Sequence, residues 1–190
     1  MFPGLYPFRK RNTLKKALVG LMAVFAVSAS HAEPYVVASL GSSKLDLDCA
    51  GTTACDTRST GLKLLGGYKF TPNFAIEGGY LDFGKAQFTF GGVPFTLKAA
   101  GFGVGAAFHQ DLNPDWNLAA RLGVASMKTE ASALGFNVDD SSTQLYGGLG
   151  IGYRITPKVS LDASYDFSKL EFSGEKGNVS MFGIGVTVAF

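Results

Sequence analysis

Asn178-Val-Ser-Met-Phe-Gly-Ile-Gly-Val-Thr-Val-Ala-Phe190 sorts its side chains into two sets. Phe182, Ile184, Val186, Val188 and Phe190 fall on one face; Met181, Gly183, Gly185, Thr187 and Ala189 fall on the other. A period of two defines a strand. One face is strongly apolar and the other mostly small, so the apolar face needs cover. A helix or a second sheet gives such cover in a soluble protein, and a bilayer gives it to a membrane strand. The terminal aromatic, in register with the apolar face, suits a membrane–water interface. The choice between the two settings falls to the rest of the chain.

Working backwards from that strand, the same alternation recurs seven more times. The runs are Tyr35 to Ser42, Thr60 to Phe70, Phe74 to about Phe83, about Phe95 to His109, Trp116 to Met127, Gln144 to Ile155, and Val159 to about Phe167. Leu62, Leu64 and Tyr68 oppose Lys63 and Lys69; Leu118, Leu122 and Val124 oppose Arg121 and Gly123. Leu161, Ala163, Tyr165 and Phe167 oppose Asp162, Ser164 and Asp166. Sustained apolar residues at helical spacing are missing after residue 33, and 25 glycines argue against helices. Tight turns at Thr71-Pro-Asn73, Asp111-Leu-Asn-Pro-Asp115 and Thr156-Pro-Lys158 join alternate pairs of runs. The other four connections are longer and rich in Ser, Thr, Gly, Asp and Lys.

Short turns at one rim and long loops at the other are the layout of an outer-membrane barrel. The aromatics Tyr68, Phe70, Phe108, Tyr153, Phe167 and Phe190 stand near strand ends on the apolar face, as interface girdles do. The opposite face mixes large charges with glycines, which suits a narrow enclosed lumen. The expectation is an all-β, eight-stranded antiparallel up-and-down transmembrane β-barrel over residues 33–190. A soluble sandwich or lipocalin-like barrel is the alternative.

Residues 1–32 read as a cleaved secretory signal. Arg9, Lys10, Arg11, Lys15 and Lys16 make a basic start, Ala17 to Val27 an apolar run too short for a membrane anchor, and Ser30-His31-Ala32 a small–x–small site. Cleavage is expected between Ala32 and Glu33. The chain has 17 Lys and Arg against 15 Asp and Glu. Five of those bases and none of the acids lie in the leader, so the exported part carries a net −3. No basic patch remains, and no nucleic-acid partner is expected. Cys49 and Cys55, an even pair at close spacing in an oxidising compartment, read as a disulfide that closes the first loop. In the chain-entropy model it contributes roughly 2–3 kcal/mol. With no histidine beside them, they make a poor metal site.

Leu65-Gly-Gly-Tyr-Lys-Phe-Thr-Pro-Asn-Phe-Ala-Ile-Glu-Gly-Gly-Tyr80, Ala120-Arg-Leu-Gly123 and Gly152-Tyr-Arg-Ile-Thr-Pro-Lys158 resemble the OmpA-like transmembrane domain, the eight-stranded barrel of Gram-negative outer membranes. The likeness covers essentially residues 33–190. It implies integral placement in the outer membrane among lipid and lipopolysaccharide. Val186-Thr-Val-Ala-Phe190 looks like the terminal strand signal that the barrel assembly machinery reads, carried by Val186, Val188 and Phe190. Two departures stand out. The chain stops at the eighth run, without the peptidoglycan-binding domain many members carry. Glu77 and Arg121 match inward positions of the family, but the seventh-run site often held by arginine is Asp162.

The inward charges Lys63, Glu77, Arg121, Asp162 and Asp166 form the expected luminal network, with Arg121 pairing with Asp162, Asp166 or Glu77. The glycines of neighbouring strands would give these long side chains room. A polar plug in a barrel too narrow for solutes is the expected role, since small barrels are filled by side chains. His109 lies beside a short turn, at the wrong rim for lipid A chemistry and outside any Phe-x-His-x-Ser pattern, so no catalysis is expected. Gly-Leu-Gly-Ile-Gly152 and Gly-Phe-Gly-Val-Gly105 open no helix and lack phosphate-loop logic. No cofactor or metal is expected, and the acids Asp46, Asp48 and Asp56 read as a solvated loop. The functional expectation is a structural and surface-interaction role, with the Lys44–Arg58 loop presented to a host-surface ligand. The rival expectation is a narrow porin-like channel or hydrophobic-ligand conduit.

Overall fold

The computed structural model describes residues 33–46, 54–133, 136–172 and 175–190. They form nine strands: β1 (Glu33–Asp46), β2 (Ala54–Asp56), β3 (Arg58–Lys69), β4 (Phe74–Phe90), β5 (Val93–Asp111), β6 (Trp116–Ala133), β7 (Phe136–Thr156), β8 (Val159–Phe172) and β9 (Glu175–Ala189). β2 is a three-residue strip laid along β4, with Cys55 opposite Phe88. The eight long strands pair antiparallel in up-and-down order, and β1 meets β9, so the sheet closes into a barrel. Closure pairs every strand on both sides. A strand can cross hydrocarbon on that condition alone, because no water is there to satisfy an open edge.

The alternation read from the sequence sets which way each side chain points. Along β3, Gly61, Lys63 and Leu65 are buried while Leu62, Leu64 and Tyr68 are exposed. The exterior is therefore the apolar surface. Phe102 and Ile184 are 70% and 69% exposed, without protein cover, and lipid supplies it. Aromatics border this belt. Phe74 packs on Phe108 (5.2 Å between centroids) and Trp116 on Tyr153 (5.1 Å) beside the short turns; Tyr80 packs on Phe102 (5.3 Å) at the far edge. Phe70 is half-buried and stacks on Phe74.

The three short turns are fixed by side-chain acceptors. Thr71 Oγ1 accepts from the Phe74 amide (2.9 Å) and Thr156 Oγ1 from the Val159 amide (3.0 Å). Asn113 Oδ1 accepts from the amides of Asp115 and Trp116, each at 2.9 Å. These local bonds are the physical reason Thr and Asn open tight turns.

The far rim departs from the expectation of long loops. β4 runs on to Phe90 and β5 begins at Val93, so the connection is Gly91-Gly92 alone. β6 and β7 extend to within residues 134–135 of each other, and β8 and β9 to within 173–174. These three supposed loops are largely paired strand, while residues 47–53 of the first lie outside the described residues. They read as loops because, past the bilayer, the outward positions face water and turn polar, which erases the apolar half of the alternation. Gly91 and Gly92 have φ of 57° and 82°, the left-handed pair a two-residue primed hairpin turn demands.

Candidate functional site

Among the described residues, the inward side chains divide the lumen into three zones, one open and two packed. At the short-turn rim a vestibule of about 300 Å³ opens between Tyr35, Lys69, His109, Asn117, Arg154 and Asp162. Its charges are largely matched: Lys69 Nζ lies 3.4 Å from Glu33 Oε2, and Arg154 is ion-paired with Asp111. Asp162 accepts from the Thr187 hydroxyl at 2.6 Å.

Above the vestibule lie two buried ionic clusters. In the first, Glu77 is held from two sides: Arg121 Nε donates to Oε2 (2.7 Å) and the Tyr35 hydroxyl donates to Oε1 (2.6 Å). Tyr35 is also 3.0 Å from His109 Nε2, which links the cluster to the vestibule. In the second, Asp166 takes three donors: the Lys63 ammonium, the Tyr146 hydroxyl at 2.6 Å and the Ser164 hydroxyl at 3.0 Å. Lys63 also donates to Ser164 Oγ at 2.9 Å. Both Lys63 and Asp166 are fully buried. Charges removed from water this completely are tolerated only when paired and hydrogen-bonded on all sides, and that condition is met here.

Glycines on β7 make the space. A Cβ on Gly148 would strike the Asp166 carboxylate at 2.5 Å, and one on Gly150 would sit 3.4 Å from Arg121 Nη1. A Cβ on Gly152 would collide with Asp162 and Asn117. The small stripe of one strand is thus the negative of its neighbours' long side chains.

The third zone departs from a wholly polar plug. Leu45, Leu81, Phe83, Met127, Val179 and Met181 are each at most 1% exposed and fill the outer half of the lumen, with Phe88 and Ala131 packed against them. Phe88 stacks on Phe95 at 5.3 Å over this apolar column. A β-bulge between Asp82 and Lys85 turns Ala86 inward to join it.

Of the expected charges, Arg121 is with Glu77, Asp166 is with Lys63, and Asp162 is in neither pair. Tyr35, Tyr146 and Ser164 complete the clusters and were not singled out from sequence. Tyr146 shares its parity with Gly148, Gly150 and Gly152, so a strict count of two would have placed it inward. Phe190 is exposed, with its amide bonded to the Pro34 carbonyl at 3.0 Å; Val186 is on the same outer face. Glu33 opens β1 opposite Lys69. The cleavage partner Ala32, the first cysteine Cys49 and Asp48 lie outside the described residues. Among the described residues, no group of three or more His, Cys, Asp or Glu converges as metal ligands.

Comparison with known proteins matches residues 17–190 to the family model of the outer membrane protein beta-barrel domain. The attachment invasion locus protein of Yersinia enterocolitica is 25% identical over 170 residues, covering 85% of this chain and 91% of that protein. Among solved structures, neisserial surface protein A aligns with a TM-score of 0.62 at 18% identity, covering 83% of this chain and 97% of its own. Ail of Yersinia pestis, crystallised with the heparin analogue sucrose octasulfate, aligns with a TM-score of 0.58 at 22% identity, covering 84% and 99%. At these identities the structural likenesses speak to the fold.

Proposed function

The chain belongs to the outer membrane protein beta-barrel domain family, an integral barrel of the outer membrane, and from that premise we propose that it acts as a sealed scaffold displaying rigid hairpins at the cell surface. The observation that carries this reading is the filled lumen. A solute entering from the vestibule meets two desolvated ion-pair clusters and then an apolar column whose members are at most 1% exposed. Moving an ion through that column would strip its water with little offered in exchange beyond hydroxyls such as those of Ser43 and Thr129. Among the described residues, this packing argues against a pore and against an apolar-ligand conduit running beyond the vestibule. Planar-bilayer recording of the purified protein tests the seal: no discrete conductance steps are expected, and regular unitary steps would overturn it.

The display half of the proposal rests on the far rim. Hairpins built as continuations of a closed barrel, with their own apolar filling, hold a surface in one shape and lose little entropy on binding. A relative named for attachment and invasion, and the Ail complex with a sulfated sugar, make a host-surface glycan the first ligand class to try. Replacing residues 47–57 by a short turn, with Lys44 and Arg58 kept, should abolish binding to host-cell surfaces; undiminished binding would remove the first loop from the site.

A further inference from the structure

The charges around the vestibule at the short-turn rim sort by partner. Glu33 is with Lys69 at 3.4 Å, Asp111 is with Arg154, and Glu77 just above is with Arg121 at 2.7 Å. Two lining charges are left over among the described residues. Asp162, half-buried on the inner face of β8, has no cation within ion-pair distance and accepts from the Thr187 hydroxyl instead. Lys158, exposed in the turn between β7 and β8, has no carboxylate partner. An unpaired lysine at an open turn costs little, because water solvates it. A carboxylate drawn partly out of water without a cation is a different matter.

The floor around Asp162 is furnished with acceptors. Asp162 is the cross-strand partner of Gly152 on β7. A Cβ built on Gly152 would lie 2.4 Å from Asp162 Oδ1 and 2.9 Å from both Nδ2 and Oδ1 of Asn117. The glycine thus lets a carboxylate oxygen and a primary amide stand side by side against the strand. Ser160 lines the same vestibule and adds a hydroxyl, while Ala119 and Ala189 are short enough to leave the volume open. Behind Asn117 and Asp162 a void of about 10 Å³ reaches Lys63 and Ser164, about the space of one water. Among the described residues, then, the vestibule is blind. It opens only toward the short turns, which is the periplasmic side of such a barrel.

Two unmatched charges of opposite sign, one deep and one at the mouth, call for a ligand carrying the same charges in reverse order. We propose that the vestibule binds a small zwitterion of the amino-acid class, its ammonium docked on Asp162 and Asn117 and its carboxylate at Lys158. An ammonium has three donors, and the carboxylate, the Asn117 Oδ1 and the Ser160 hydroxyl are acceptors for them. Partial removal from water strengthens this pairing over one at an open surface. A simple anion is repelled by Asp162, and a diamine by Lys158. A metal ion finds one carboxylate, since no group of three or more His, Cys, Asp or Glu converges among the described residues. The volume of about 300 Å³ is at the lower end for small-molecule pockets and suits a few carbon atoms between the two charges. The site is independent of any ligand the surface hairpins hold.

The test uses the full protein in phosphatidylcholine nanodiscs, with binding read by saturation-transfer NMR and titration calorimetry. The probes are 4-aminobutyrate, n-butylammonium, butyrate and 1,4-diaminobutane, which share a carbon chain and differ in charge. 4-Aminobutyrate should bind saturably and more tightly than the other three. Asp162→Asn should weaken it about tenfold, the loss of one charge pair. Lys158→Gln should weaken it severalfold while leaving n-butylammonium no worse than in wild type. Heat-modifiable migration checks that each variant is a folded barrel, and Asn117→Leu, with severalfold loss expected, stands in if Asp162→Asn does not fold. No saturable binding of any probe, butyrate binding as tightly as 4-aminobutyrate, or undiminished binding in both Asp162→Asn and Asn117→Leu would overturn the proposal. n-Butylammonium or the diamine binding as tightly as the zwitterion would overturn the pairing with Lys158 and with it the ligand class.

Discussion

The Tyr35 ring crosses Gly67, its cross-strand partner on β3, so that a Cβ added to Gly67 would clash with ring atoms Cζ, Cε1 and Cε2. The glycine is what lets the Tyr35 hydroxyl reach Glu77 at 2.6 Å. Gly67→Ala should therefore act as a Tyr35 mutation. Overpacking alone costs about 1–3 kcal/mol, and loss of a hydrogen bond to a charged group about 1.5–3 kcal/mol. In urea unfolding from lipid bilayers, Gly67→Ala and Tyr35→Phe should each destabilise, and the double variant by clearly less than their sum. Full additivity would show that the ring and the glycine do not act together.

Lys63 and Asp166 come from β3 and β8, 103 residues apart, and meet in a site with no water access. Removing one partner strands the other. Lys63→Met and Asp166→Asn should each cost about 3–5 kcal/mol, while the double variant should recover much of that loss because no buried charge remains. Unfolding free energies around the double-mutant cycle check this. A double variant no more stable than the worse single one would mean that the surrounding Tyr146 and Ser164 bonds, rather than the ion pair, hold the layer.

These two clusters separate what a local sequence pattern encodes from what it does not. Face assignment was legible, because a period of two with lipid outside leaves one apolar and one polar set; Glu77, Arg121, Lys63 and Asp166 all fall on the inner one. Pairing was not. The inward direction of Arg121 is a one-strand property, but its choice of Glu77 over Asp162 depends on the stagger between β4, β6 and β8, which no local pattern encodes. The far rim misled for a different reason. Beyond the bilayer β6 carries Ser126, Lys128 and Glu130 outward, and that polarity looks like loop although the backbone is paired throughout with β7. Phe83, Met127 and Met181 interrupt the polar inner set, and only the closed barrel explains them, as the filling of a lumen above the ionic layers.

The Gly91-Gly92 turn supports the rigidity of the surface hairpins. Both residues sit at positive φ, where a side chain costs about 1–2 kcal/mol. Nothing lies within 4 Å of either Cβ position, so the penalty is conformational and not steric. Gly92→Val should loosen the tip locally: amide protection over the paired residues 86–90 and 93–98 should fall about tenfold, with global unfolding unchanged. Unaltered protection at the tip would show that the β2 strip and the β6 pairing hold the hairpin without its turn.

Phe190 provides the separation between folding in a test tube and assembly in a cell. Its side chain is 66% exposed on the protein, so its contribution is its lipid contact, about 1.5–3 kcal/mol at most, plus one backbone bond to Pro34. An effect confined to stability would be of that size in both settings. If Phe190, with Val186 and Val188, also forms the signal the assembly machinery reads, deletion of Phe190 should lower the outer-membrane level severalfold. The same variant refolded from urea into lipid vesicles should still give a heat-modifiable barrel with only the modest stability loss. Phe190→Trp, which keeps an interfacial aromatic, should restore most of the cellular level and Phe190→Ala should not. Outer-membrane quantities that merely track refolding stability across the three variants would reduce Phe190 to an interface anchor.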